Sequence, residues 1–206
     1  MPISPGSEWG IPSPIPDHAR VMSSDRQLGL FLRDNSAQQI HAQSLFMQSG
    51  DITRVLGVKS RSNNDECLRV VIDAISVSYT DAHGVEHTDV CIGSLSIARR
   101  FMRGAICIVS NSGYWNDHEV APRAHLNDGK LDIFEVSGAM RWSQRRLMWQ
   151  KTSLGTHLPH PLLSYSQGDF SHWEGSPQRL TIDGQFVATV TKVACRIQSD
   201  CVQIYA

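Results

Sequence analysis

From Leu68 to Tyr205 the chain is a succession of β-branched runs cut by turn signals, and that texture leaves few folds open. Leu68–Thr80 is rich in Val and Ile and predicts a long strand. Asp81-Ala82-His83-Gly84 is a turn, and Val85–Ile92 returns from it. Gly104–Ser110 is apolar on both faces, as a central strand covered on both sides is. Leu131–Val136 follows an Asp128-Gly129 turn. Asp183-Gly184 between LTI and QFVATV is a two-residue hairpin signal. Val193–Ile197 and Val202–Tyr205 complete the strands, and Ser143–Thr152 is the one helical interruption. The expected fold is α+β, mainly β: an antiparallel β-sandwich with a small N-terminal α/β segment. No internal repeat is visible.

Three regions are expected. Residues 1–16 are Pro- and Gly-rich and read as an extended arm outside regular structure, with Trp9 as an anchor onto the body or a second subunit. Residues 17–60 read as a small β-α-β-α piece. Arg20–Ser23 is a short strand, and Ser24-Asp25-Arg26-Gln27 fits a capping box with Ser24 as N-cap. Leu28, Phe31 and Leu32 then lie on one helix face, which ends near Asp34-Asn35. His41–Met47 is another strand, and a short helix after Gly50-Asp51 is closed by Gly57. Residues 61–206 form the sandwich.

Composition excludes several functions. Lys plus Arg is 19 and Asp plus Glu is 20, so the net charge of −1 argues against a broad nucleic-acid-binding face. No apolar run approaches the roughly 18 residues of a membrane span, and no secretory signal is visible. The five cysteines, Cys67, Cys91, Cys107, Cys195 and Cys201, form no C-x-x-C pair and read as small core residues of a reduced, cytoplasmic protein. G-x-S-x-G, G-x-G-x-x-G and H-E-x-x-H are all absent. Gly50 to Ser60 approximates a phosphate-binding loop, but six residues separate its glycines and Val58 precedes Lys59, so the tight backbone nest is missing. His83/His87 and His157/His160 lack a third ligand nearby and read as loop residues.

One stretch is more specific. Asn111–Val136 contains Ala121-Pro122, Ala124, Asp128-Gly129, Leu131 and Asp132, and it resembles the second domain of the diacylglycerol kinase and bacterial lipid kinase family. Gly155-Thr156-His157 with His160-Pro161 resembles that family's G-x-H segment, and Leu180–Gln185 its closing "DGE" hairpin. Gly50–Gly57 resembles the tail of its G-T-x-N-D-F-A-R-x-L-G segment. The resemblance covers about residues 48–206. It implies a β-sandwich and a lipid site where the sandwich meets an α/β domain. The implied ligand-binding residues are Asp51, Arg54, Asn111, Asp183 and Gln185.

Two departures bear on activity. The Gly-Gly-Asp-Gly-Thr nucleotide loop is missing, and Gln48 replaces the nucleotide-contacting Thr, so no nucleotide is expected. Gln185 stands where the resembled kinases carry the Glu general base, and a neutral amide accepts no proton. Loss of positioning and of proton transfer together removes most of what phosphoryl transfer needs. The resemblance also implies a structural Mg²⁺ or Ca²⁺ at Asp128 with the carbonyls of His125 and Lys130. The alternative is that Asn127-Asp128-Gly129 is only a turn. Three functions stay open: a catalytically silent binder of a lipid-like ligand, a lipid kinase completed by a nucleotide-binding partner in trans, and a structural homodimer. Met140–Thr152 mixes Trp142, Met148 and Trp149 with basic residues, which suits peripheral membrane contact or a core-facing tryptophan stripe with solvated arginines.

Overall fold

The computed structural model describes residues 9–57, 67–100, 103–152 and 160–206. Residues 1–8 of the arm, residues 58–66 and the Gly155-Thr156-His157 motif lie outside the described residues. The N-terminal part runs β1 (Ile11–Ser13), β2 (Arg20–Met22), α1 (Asp25–Asp34), α2 (Ala37–His41), β3 (Leu45–Met47) and α3 (Asp51–Val55). Then come β4 (Cys67–Asp81), β5 (Glu86–Cys91), β6 (Ser94–Ala98), β7 (Ile106–Ser110), β8 (Tyr114–Trp115), β9 (His118–Glu119) and β10 (Leu131–Val136). Helix α4 (Trp142–Thr152) precedes β11 (Leu163–Gly168), β12 (Phe170–Ile182) and β13 (Gln185–Tyr205). The molecule is α+β and mainly β, as expected.

Among the described residues eleven strands form one sheet with a path β1-β4-β13-β12-β6-β7-β10-β11, and β8-β9 form a separate hairpin. Pairings along that path are antiparallel; β3 joins β13 in parallel and β2 joins β3 in parallel. The long β4–β13 pair changes its buried face midway. Val70, Ile72 and Ala74 of β4 pack under the helices with Val202 and Ile204 of β13. Ile75 and Val77 point the other way, as strand alternation requires, and share a second core with Val193 and Cys195 of β13, Leu95 and Ile97 of β6, Val109 of β7 and Leu131 of β10. Both wings of the sheet line that core, which is the packing of a sandwich built from one bent sheet. Strand β7 is buried along its whole length: Cys107 and Val109 face this core, and Ile106 and Ile108 face a third one under α4.

The helical piece is fixed by its caps and one buried ion pair. Ser24 accepts the Gln27 N–H at 3.2 Å, while the Gln27 side chain reaches back to Ser23 N at 2.7 Å, one residue earlier than a standard box. Leu28, Phe31 and Leu32 are buried as expected. Arg26 makes a two-pronged pair with Asp89 of β5 at 3.0 and 2.7 Å, tying α1 to the sheet edge.

Four expectations change. The arm is not free of sheet: Ile11–Ser13 pairs with Cys67–Arg69, since an edge strand tolerates Pro12, and Trp9 donates to Val71 O at 3.1 Å. His41 belongs to α2, not to a strand, and no residue of α2 is buried, so no apolar periodicity announces it. The two last strands are one 21-residue strand, β13, with an irregularity between Gln198 and Val202 where Asp200 adopts a positive φ of 53°. On α4 the tryptophan stripe fails: Trp142 is 73% exposed, whereas Arg145 is buried and donates to the carbonyls of Met140 and Ser137 at 3.0 and 2.9 Å and to that of Gly104.

Arg145 is thus a buried clamp between α4 and the turns on either side of β7 and β10. Arg145→Ala is expected to destabilise by about 2–4 kcal/mol, because it leaves several carbonyls unpaired. Trp142→Ala is expected to stay within about 0.5 kcal/mol in urea denaturation. Equal losses from the two variants would contradict this packing.

Candidate functional site

Strands β2 and β3 lie side by side in parallel, in register Arg20↔Leu45 to Met22↔Met47. Each runs into a helix, so α1 and α3 start together at the carboxyl end of a small parallel sheet, where open α/β sheets gather functional groups. Asp25 is the first residue of α1 and Asp51 the first of α3. The Asp25 carboxylate accepts the Asp51 N–H at 2.6 Å. Gly50 leaves the room for it: its φ is +134°, and a Cβ there would stand 2.1 Å from Asp25 Oδ1.

The β12–β13 turn closes the other side. Asp183 and Gly184 both have positive φ, 46° and 77°, as a type I′ hairpin requires. The Asp183 carboxylate points inward and accepts N–H groups of Gly93 at 2.8 Å, Ile92 at 3.1 Å and Ser94 at 3.2 Å, and the Cys91 thiol at 3.3 Å. Gly93 is the common neighbour of the three carboxyl groups. A Cβ on it would lie 3.2 Å from Asp25 Oδ2, 3.5 Å from Asp183 Oδ1 and 3.6 Å from Asp51 Cβ. The Gly93 carbonyl in turn accepts the Asn111 N–H at 2.9 Å.

The structure therefore brings Asp51 and Asp183 to one junction. Arg54 flanks Asp51 at 3.7 Å, pairs with Asp117 in the β8–β9 turn, and lies 5.4 Å over the Tyr114 ring. Asn111 sits behind the junction as a buried brace. Its Nδ2 donates to Asp73 O at 3.0 Å and Ile92 O at 3.4 Å, and its Oδ1 has no hydrogen-bond partner among the described residues. Gln185 starts β13 at the exposed rim. The loop of Asp128, His125 and Lys130 is a separate feature. Asp128 accepts the Lys130 N–H at 3.0 Å and His125 Nδ1 accepts the Asn127 N–H at 3.2 Å, both local turn contacts. Behind it the fully buried Asp73 accepts the N–H groups of Gly129 and Asp200, each at 2.8 Å. These contacts are those of a turn, and beside it Asn127 Oδ1 is buried with no hydrogen-bond partner among the described residues. Among the described residues no group of three or more His, Cys, Asp or Glu side chains is placed to hold a metal.

Asp25, Gly93, Tyr114 and Asp117 escaped the sequence reading. Ser24-Asp25 reads as a helix cap, and nothing local says that its carboxylate meets a turn 158 residues later. The parallel with Gly50-Asp51, a small residue and an Asp opening a helix after a short strand, is the signal that would have found it.

Burial first, and then the charge of Asp183, push the Asp25 carboxyl up to about 7. Burial also raises Asp51 against the lowering effect of Arg54, and raises Asp183 against its backbone donors. A raised acid binds protons more tightly in the folded state, so the contribution of Asp25 to stability is fullest at low pH and is lost as pH rises from about 4 to about 7. In urea denaturation at about pH 5 and about pH 8, Asp25→Asn is expected to flatten that fall, whose upper limit is about 4 kcal/mol. An unchanged pH slope in the variant would show that Asp25 is already ionised at low pH.

No family model matches the chain, and no curated protein is similar to it at a significant level. Solved structures are similar in fold. A diacylglycerol kinase from Bacillus anthracis superposes with a TM-score of 0.52 at 12% identity, covering 79% of this chain and 65% of that one. Two further structures described as diacylglycerol kinases from the same organism give TM-scores of 0.49 and 0.47 at 12% and 13% identity, covering 79% of this chain and 69% of those. The chain thus has a diacylglycerol-kinase-like fold, spanning about two thirds of the length of the proteins that share it.

Proposed function

We propose that this chain binds a lipid-like ligand at the junction of the helical piece and the sheet, and does not transfer phosphate by itself. Gln185 carries the reading. It follows the anchored Asp183 at the rim of the junction, where the resembled kinases hold the Glu that takes the lipid hydroxyl proton. An amide at that place still donates and accepts hydrogen bonds to a hydroxyl but removes no proton, so ligand recognition survives where general-base catalysis does not. The chain also holds no Gly-Gly-Asp-Gly-Thr sequence to position a triphosphate. Gln185→Glu restores the carboxylate without restoring that loop.

A hard cation fits the neighbouring loop, held by the Asp128 carboxylate and the carbonyls of His125 and Lys130. There it would stiffen the loop that meets β4 and β13, with Asp128 the only charged ligand.

Native mass spectrometry of the purified chain is expected to show a retained lipid-sized mass, and incubation with Mg-ATP and diacylglycerol is expected to give no phosphatidic acid for the wild type or for Gln185→Glu. Phosphorylation by the wild-type chain would overturn the silent reading. A bare protein that binds neither short-chain diacylglycerol nor short-chain phosphatidic acid would overturn the lipid reading. Calcium is expected to raise the melting temperature of the wild type and not of Asp128→Asn.

A further inference from the structure

On the outer face of the sheet, beside the Asp183–Gln185 turn, lies a cleft of about 520 Å³ that the lipid reading does not use. Its floor is small. Ser96 and Ala98 of β6 pair directly with Thr181 and Arg179 of β12, so the four side chains share one face. Helix α4 covers the neighbouring strands through Met148, packed with Ile106, Ile108 and Phe134, and Ala98 is where that cover ends. One wall is the β8–β9 hairpin with Trp115 and Asn116; the other is Gly184 and Phe186. Arg99, Arg100 and Arg179 all line it, and among the described residues no Asp or Glu does. Arg179 is held in place, 3.9 Å over the Phe186 ring.

A recess with hydroxyls and an amide on its surface, aromatic walls and three cationic side chains on a protein of net charge −1 selects for one ligand chemistry. Guanidinium forks match phosphate oxygens in pairs, and a concave site focuses their field. The carboxylates of the junction lie on the far side of the same turn, with Asp183 tied down by Gly93 and its neighbours. We propose that this cleft receives the phosphate group of an anionic ligand. Resting on the lipid reading above, this makes the preferred ligand a phosphorylated lipid rather than a neutral diglyceride, its phosphate in the cleft and its chains beyond the Phe186 wall.

The test is a calorimetric titration of the full chain with three probes: short-chain phosphatidic acid, the matching short-chain diglyceride, and inorganic phosphate. Arg99→Gln/Arg179→Gln changes two exposed side chains, and a melting curve checks that it folds. Phosphatidic acid is expected to bind with an affinity that falls with salt, to weaken about tenfold or more in the double Gln variant, and to be only partly rescued in Arg99→Lys/Arg179→Lys, which keeps the charge but not the fork. Displacement by inorganic phosphate identifies the phosphate alone as sufficient; its failure identifies the lipid headgroup, and both outcomes support the cleft. Phosphatidic acid and diglyceride binding equally, with no effect of the Gln substitutions, overturns the cleft and leaves the lipid reading standing. Phosphate binding with neither lipid keeps the cleft and overturns the lipid reading. Binding of none of the probes overturns both.

Discussion

One carboxylate ties the β12–β13 turn to the strand link that borders the helical piece. Asp183 sits on a two-residue hairpin and turns inward to take three consecutive backbone N–H groups at Ile92–Ser94. Ile92 and Gly93 lie between β5 and β6, where the chain leaves one strand for the next, and Ser94 opens β6. Supplying them with a charged acceptor fixes the turn to the β5–β6 link. The link in turn fixes Asn111 through the Gly93 carbonyl and leaves a glycine-wide gap for Asp25 and Asp51. Removing Asp183 would orphan a set of buried donors, not a single contact. Residues from both ends of the chain depend on it.

The same junction gathers three carboxyl groups in a partly buried place that disfavours their charged forms. Asp25, Asp51 and Asp183 are all raised by burial, and the nearest cation, Arg54, is shared with Asp117 of the β8–β9 turn. Across the Asp183–Gln185 turn the sign reverses, with Arg99, Arg100 and Arg179 around an aromatic-walled cleft. An amide at Gln185 stands on the rim between these two fields.

The sheet explains why so short a helical piece is stable. Residues of β2, α1, β3 and α3 do not close a core of their own. Met22, Leu28, Leu45, Met47 and Ile52 are fully or almost fully buried only because Val70, Ile72, Val202 and Ile204 complete the cluster. The long β4–β13 pair offers one face to this cluster and the opposite face, further along, to the sandwich core. The Arg26–Asp89 pair, with both side chains almost fully buried, then sets the angle at which α1 lies on β5.

Much of this was legible in the residues. Strand periodicity and turn dipeptides located β4, β5, β7 and β10, Ser24 and Gly57 marked helix ends, and the β-rich α+β class followed from their number. These are local properties, set by φ preferences and by which face of a repeat is apolar. β11 and most of β12 were not legible, since their faces are largely exposed, and a bulge at Asp200 in continuous β13 looks in sequence like the end of a strand. For the site, the motif residues Asp51, Asp183 and Gln185 stood out in the sequence. Asp25, Gly93 and the arginine cleft did not, because each gets its meaning from partners far along the chain. The sequence by itself determined most of the elements and the neutral amide at Gln185, since those rest on a residue's own chemistry. Only the tertiary structure decided which carboxylates meet, which arginine of α4 is buried, and where positive charge gathers. Burial and proximity are relations between segments that sequence distance does not encode.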